Sequence, residues 1–402
     1  MFRNTTLSAA ALAAFLGLPA AQAAEADLQK EVEALKAQNR EIMERLEATA
    51  EALDQMAPAR AAARRMPHAH GTRGTTVVGA YGELHYNNLS DQIGIGGKQD
   101  QKEIDFHRFI LFLGHEFNDR IRFWSELEVE HSKVDAGGGE VAIEQAYVEF
   151  DVTDETMIRA GILLVPAGLI NETHEPPTFY GVERNPIAKY IIPTTWREGG
   201  VSVVGRLGNG FSYDLLLHSG LKLTNGGNYA VRAGRQAVCE APADDPAVTA
   251  RVKWTAVPGL ELALAVQRQT DAAQGTDPQV GGATLVAPHV VWQKGRFGLR
   301  AVYASWDIEG SGPAGIGADE QTGWYVEPSF RINDKWGVFA RYNTWDNQAG
   351  NGTDTEYSQL DVGFNFWPHP DVVIKVDYQD QSVPPGSTKE LDGINIGVGY
   401  QF

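Results

Sequence analysis

Residues 391–402 read LDGINIGVGYQF, with the aromatic Phe402 last. Successive side chains of a β-strand point to opposite faces, so Ile394, Ile396, Val398, Tyr400 and Phe402 share one face, and Gly393, Asn395, Gly397, Gly399 and Gln401 share the other. The first face is apolar and the second is polar or bare. In a soluble sandwich the apolar face meets a core, and in a membrane barrel it meets lipid. One strand fits both, and the choice depends on whether the rest of the chain repeats it.

It does. Val248, Ala250, Val252 and Trp254 alternate with Thr249, Arg251, Lys253 and Thr255, and Trp324, Val326, Pro328 and Phe330 alternate with Tyr325, Glu327, Ser329 and Arg331. Few segments break the pattern, and 104–117 is the weakest, because its apolar residues occupy both parities. The pattern predicts strands near 76–86, 104–117, 120–131, 141–152, 156–164, 198–206, 211–219, 247–256, 260–269, 284–293, 297–306, 322–332, 335–345, 357–367, 371–379 and 391–402. The number is even, and the lengths suit strands tilted across a bilayer.

The connections alternate strictly in length. Short turns such as Asn118-Asp119, Val257-Pro258-Gly259 and Asn333-Asp334 are separated by long loops such as 87–103, 220–246 and 308–321. Short turns on one side and long loops on the other describe an outer-membrane barrel, whereas a soluble sandwich has no reason to sort its loops. Phe117, Phe150, Phe211, Trp254, Trp292, Phe297, Phe330, Trp336, Phe366 and Phe402 gather at the short-turn ends on the outward parity. They form a candidate periplasmic girdle, with Tyr86, Tyr303, Tyr342 and Tyr378 opposite. The expected fold is all-β, a 16-stranded antiparallel transmembrane β-barrel over 76–402, preceded by a short N-terminal helical coiled coil.

Arg3, an apolar run over 7–18 and Ala21-Gln22-Ala23 make residues 1–23 a signal peptide. In 24–57, Leu28, Val32, Leu35, Asn39, Ile42, Leu46, Thr49, Leu53 and Met56 fill heptad a and d positions, which predicts a periplasmic coiled coil and therefore a homo-oligomer. Residues 58–75 read as a basic linker. Cys239 is the single cysteine, so no intrachain disulfide can form. The net charge of −18 argues against a nucleic-acid partner. No cofactor is expected, and His85, His115, His218 and His289 lie in no motif with a nucleophile, so an enzyme is disfavoured.

The inward parity of such a barrel mixes acids and bases, among them Arg108, Arg122, Glu126, Glu128, Arg159, Arg251 and Arg341, which predicts a wet lumen for small hydrophilic solutes or ions. The segment 165–196 is long, rich in proline and partly apolar. Such a loop is expected to fold into the lumen and to bring Glu183, Arg184, Lys189 and Arg197 to a constriction. The expected function is passive diffusion. A second reading is a structural protein joining the membrane to the cell wall through the coiled coil. Acidic loops at 240–245 and 319–320 suit cation-bridged contact with lipopolysaccharide.

Ala146-Tyr147-Val148-Glu149-Phe150, then Ile158-Arg159-Ala160-Gly161 and Val165-Pro166-Ala167-Gly168-Leu169, together with Phe402, resemble Gram-negative porins of the phosphate-selective porin O/P-like group. The resemblance implies a trimer, a third long loop folded inward, and recognition of the last strand by the barrel-assembly machinery through Phe402. The chain departs from the group's phosphate-selective members in lacking a dense ladder of basic residues: from residue 76 onward it holds 25 bases against 43 acids.

Overall fold

The computed structural model describes residues 74–135 and 138–402. The signal peptide 1–23, the coiled coil 24–57 and all but the last two residues of the linker 58–75 lie outside the described residues. Sixteen strands follow in chain order: β1 Thr75–Asp91, β2 Gln101–Asn118, β3 Ile121–Glu130, β4 Val141–Asp151, β5 Thr156–Leu164, β6 Arg197–Gly208, β7 Phe211–His218, β8 Ala247–Trp254, β9 Leu260–Gln269, β10 Ala283–Lys294, β11 Phe297–Ile308, β12 Glu320–Arg331, β13 Trp336–Asp346, β14 Tyr357–His369, β15 Val372–Ser382 and β16 Leu391–Gln401. Each predicted strand overlaps an observed one.

Neighbours in sequence are neighbours in the sheet, and β16 closes the barrel antiparallel to β1, from Tyr81 opposite Gln401 to Asp91 opposite Leu391. Closure leaves no unpaired edge, which is what lets a sheet cross lipid. The period-two pattern sorts the faces as expected. Ile394, Ile396 and Val398 stay 40–45% exposed, whereas Asn395 between them is 1% exposed. Phe402 extends the closing ladder, exchanging backbone hydrogen bonds with Ala80 at 2.9 and 3.0 Å.

One local departure matters for the interior. In β4, Gln145 pairs with Glu126 and Ile143 with Leu127, so Glu144 is an extra residue opposite none. Strict alternation with Val148 and Phe150 would turn Glu144 to lipid; the bulge turns it inward, where it is fully buried.

The lumen is not uniformly wet, which corrects the expectation from the mixed wall charges. Leu285, Val302, Ala304, Trp306 and Tyr325 of β10–β12 face inward, and the loop residues Val165, Ile187, Ile191, Ile192, Trp196, Leu221 and Leu223 cover them to make one apolar core. Each buried aliphatic side chain there contributes about 1.5–3 kcal/mol relative to exposure, so this part of the interior holds loops in place.

Candidate functional site

Residues 165–196 leave the end of β5, cross the lumen and return at β6. Their root is clamped by Asn171, whose Nδ2 donates to the Val165 and Trp196 carbonyls at 2.8 and 2.9 Å while its Oδ1 accepts from the Trp196 N–H at 2.7 Å. Buried backbone groups need partners, and the wall supplies them from several strands. Arg108 Nη2 of β2 donates to the His174 carbonyl at 2.6 Å, and Arg300 Nη2 of β11 to the Thr178 carbonyl at 2.9 Å. Asn365 of β14 donates to the Phe179 carbonyl at 3.0 Å, and Arg341 Nη1 of β13 to that of Tyr180 at 3.1 Å. The Val182 N–H donates to Asp377 Oδ2 of β15 at 2.6 Å, and Trp306 Nε1 of β11 to the Ile191 carbonyl at 2.9 Å. Side chains add to this: Glu172 pairs with Arg251 of β8, Glu183 lies 3.0 Å from His85 Nδ1 of β1, and Lys375 Nζ sits 3.4 Å above the Phe179 ring. A segment tied to β1, β2, β8, β11 and β13–β15 lies inside the barrel, across its bore.

The segment divides the bore. On the long-loop side a cavity of about 630 Å³ is lined by Arg108, Glu128, Glu130, Glu140, Glu183, Arg184, Lys189, Arg197, Arg232 and Arg235, with neutral residues between. On the short-turn side a second cavity of about 440 Å³ is lined by Pro177, Thr178, Phe179, Tyr180, Arg300, Arg331 and Trp367. Phe179 and Tyr180 line the second, and Glu183 and Arg184 line the first. A third cavity of about 220 Å³, with Tyr147, Arg159, Glu172 and Asp214, lies beside β4–β7.

Charge pairing in the larger cavity is uneven. Glu183 is engaged by His85 and by Asn87 Nδ2 at 3.1 Å. Burial would raise its carboxyl, but the charge and hydrogen bond of His85 outweigh that and hold it below the usual carboxylate range. By contrast, Arg184 donates to Thr195 Oγ1 at 3.3 Å, Arg232 to the carbonyls of Lys189 and Thr194, and Arg235 to those of Pro193, Thr195 and Arg232. All of these are neutral acceptors. Burial and the charges of Arg232, Arg197 and Arg184 push Arg235 down to about 10, and burial and Arg108 lower Arg184. All remain cations at neutral pH, crowded together, and Arg184 Nε and Arg197 Nε are buried with no hydrogen-bond partner.

The family of phosphate-selective porins O and P matches residues 78–402. The chain belongs to that family. An uncharacterized protein of Aquifex aeolicus (strain VF5) is 30% identical over 342 residues, covering 75% of this chain and 74% of that one. Among solved structures, the anion-selective porin from Comamonas acidovorans superimposes with a TM-score of 0.57 at 13% identity, covering 82% of this chain and 100% of that one. The outer membrane channel DcaP of Acinetobacter baumannii gives 0.56 at 13% identity, covering 82% and 97%. In-vitro folded OmpT of Vibrio cholerae, in its trimer form, gives 0.52 at 11% identity, covering 82% and 99%. At such identities the structural likeness speaks for the fold alone. The protein is an outer-membrane porin, a non-enzymatic channel.

Of the residues that the sequence singled out in this porin, Glu183, Arg184, Lys189, Arg197, Arg108 and Glu128 line the larger cavity together. Arg108 is also bound to Glu83 at 2.7 Å. Arg197 is 9% exposed and 3.5 Å from Glu140, and Lys189 is exposed beside Tyr190. The others lie elsewhere. Arg122 and Arg159 share Glu149 at 2.9 and 2.7 Å, and Arg122 also binds Asp151. Arg251 sits between Asp214 and Glu172, and Arg341 between Asp361 and Glu327 at 3.0 and 3.3 Å. Glu126 is buried behind the loop near His174. Arg232 and Arg235 were not foreseen: they belong to the connection 220–246, and nothing in its local sequence tells that it folds back over the segment 189–195.

Proposed function

We propose that this porin passes small hydrophilic solutes and ions by passive diffusion through a bore narrowed by residues 165–196, and that it favours anions. The observation that carries the reading is the set of guanidinium groups of Arg184, Arg232 and Arg235, which face the cavity above the narrowing with neutral partners only. Net charge is spread over the whole chain, but a permeating ion responds to the unpaired charges within a Debye length of about 8–10 Å. Those are positive. Arg108, Arg122, Arg159, Arg251 and Arg341 are neutralised by carboxylates on the wall and act mainly as struts. Glu183, Lys189 and Arg197 set the rim of the narrowing, with Glu128 in the same cavity and Glu126 behind the loop.

The chain is proposed to work as a homotrimer, with residues 24–57 as a coiled coil in the periplasm and lipopolysaccharide around the long loops. The antiparallel ladder that ends at Phe402 supports a role for that residue as the handle for the barrel-assembly machinery. Planar-bilayer recording of the purified protein tests the channel itself: stepwise conductance is expected, and its absence would remove the reading.

A further inference from the structure

The bulge in β4 creates a cluster that solute passage does not explain. Glu144 is fully buried, and it meets Glu126 of β3, 7% exposed, and His174 of the loop, 3% exposed. One ligand-capable atom from each of the three lies within 4.8 Å of the others. Tyr81 of β1 completes the group, its hydroxyl 2.7 Å from His174 Nε2 and 3.3 Å from Glu144 Oε2.

The arrangement of the imidazole is informative. His174 Nδ1 lies 3.0 Å from the Asn171 carbonyl, which accepts only from a protonated nitrogen. In the neutral ring Nε2 then carries the lone pair, and that lone pair faces Glu144 Oε2 at 3.3 Å. A backbone carbonyl behind a histidine is the arrangement that orients a metal-ligating ring. Glu144 Oε1 and Glu126 Oε2 are buried with no hydrogen-bond partner. Two carboxylates converge on a lone pair that accepts from the Tyr81 hydroxyl, and one oxygen of each carboxylate is left unpaired, which is unfavourable unless a positive charge sits among them. Arg108 is near but gives neither carboxylate a hydrogen bond: it is paired with Glu83, and toward this group it donates to the His174 carbonyl.

We propose that Glu126, Glu144 and His174 bind one first-row divalent transition-metal ion, with Zn²⁺ as the representative, the Tyr81 hydroxyl beside it. Tetrahedral sites with bonds of about 2.0–2.1 Å have neighbouring ligand atoms roughly 3.3–3.4 Å apart, and the His174–Glu144 separation is 3.3 Å. One imidazole with two carboxylates selects Zn²⁺ over Mg²⁺ and Ca²⁺, which prefer oxygen ligands throughout. Bound there, the ion staples the root of the loop to β3 and β4 and fixes how far the constriction can open.

The test uses the full-length porin in detergent, stripped with a chelator and shown to remain folded by its heat-dependent gel mobility. Zn²⁺ is titrated by calorimetry, and Co²⁺ is added to read its visible ligand-field bands. One Zn²⁺ per chain is expected, undisturbed by a hundredfold excess of Mg²⁺, with intense tetrahedral Co²⁺ bands. Glu144→Gln and, separately, Glu126→Gln should each weaken Zn²⁺ by at least about tenfold, whereas His131→Ala, which dismantles the part-exposed Asp105, His107 and His131 group at the barrel mouth, should leave it unchanged. Absence of Zn²⁺ binding at micromolar concentration would overturn the proposal, and identify a proton on His174 as the compensating charge. Binding abolished by His131→Ala but untouched by both glutamine variants would overturn it as well.

Discussion

A Cβ placed on Gly399 would lie 2.2 Å from Cβ of Pro176. The inward stripe of β16 is bare because the loop in the lumen rests on it. A Cβ on Gly397 would come within 3.0 Å of Val182, and one on Gly337 of β13 within 2.4 Å of the Tyr180 hydroxyl. The apolar face of the closing strand belongs to lipid, and its glycines are the seat of the segment that narrows the bore.

Gly399→Val is therefore expected to displace the stretch around Pro176 while leaving the barrel closed. Overpacking of this kind costs roughly 1–3 kcal/mol, and the strain falls on the loop because the β16 ladder is hydrogen-bonded on both sides. Single-channel conductance should change relative to wild type, with the heat-dependent gel shift preserved. Unaltered conductance would mean that this stretch does not limit flow.

Arg341→Ala removes the partner of two buried carboxylates and the donor to the Tyr180 carbonyl. Leaving such charges unpaired costs about 3–5 kcal/mol. The variant should lose its folded gel mobility at a lower temperature than wild type. Arg331→Ala, whose side chain lies 3.9 Å over the Trp367 ring and has no carboxylate partner of this kind, should lose much less.

The hold of Glu183 on β1 carries a pH signature. Its carboxyl is held below the usual range, so the stability it contributes is complete above the unfolded-state value of about 4.3 and is lost as pH falls through the lower folded value. Protease accessibility of the loop should differ between wild type and Glu183→Gln by a constant amount from pH 7 to 5. The difference should close only in stronger acid. Closure between pH 7 and 5 would show that the His85 contact does not hold the carboxylate.

Much of this was legible in the sequence for a definite reason. Period-two alternation and sorted loop lengths are imposed by lipid on every strand, so sixteen weak signals reinforce one another. The inward course of 165–196 was visible in its prolines and aliphatic residues, which a solvated loop has no use for. Glu144 was hidden because one extra residue reverses a strand's faces, and no residue type marks that bulge. The meeting of Arg184 with Arg232 and Arg235 was hidden because it depends on how 220–246 folds. That connection is held by side chains such as Gln269, which binds the Leu221 N–H and carbonyl, and Gln236, which reaches Ser219 and Gly220. That Arg108 and Arg341 hold backbone carbonyls of the loop emerges only once the loop's path is known.

The central claim is that unpaired arginines at the narrowing, rather than the net charge, set what passes. The most direct measurement is the reversal potential of the purified porin in a planar bilayer under a tenfold KCl gradient, for wild type and for Arg184→Glu/Arg235→Glu. A unit charge some 8 Å from the ion path in water is worth about 0.5 kcal/mol, or roughly twofold in partitioning. Wild type is predicted to prefer chloride, and the double variant to shift severalfold toward potassium. Potassium preference in wild type, unmoved by the double substitution, would contradict the account.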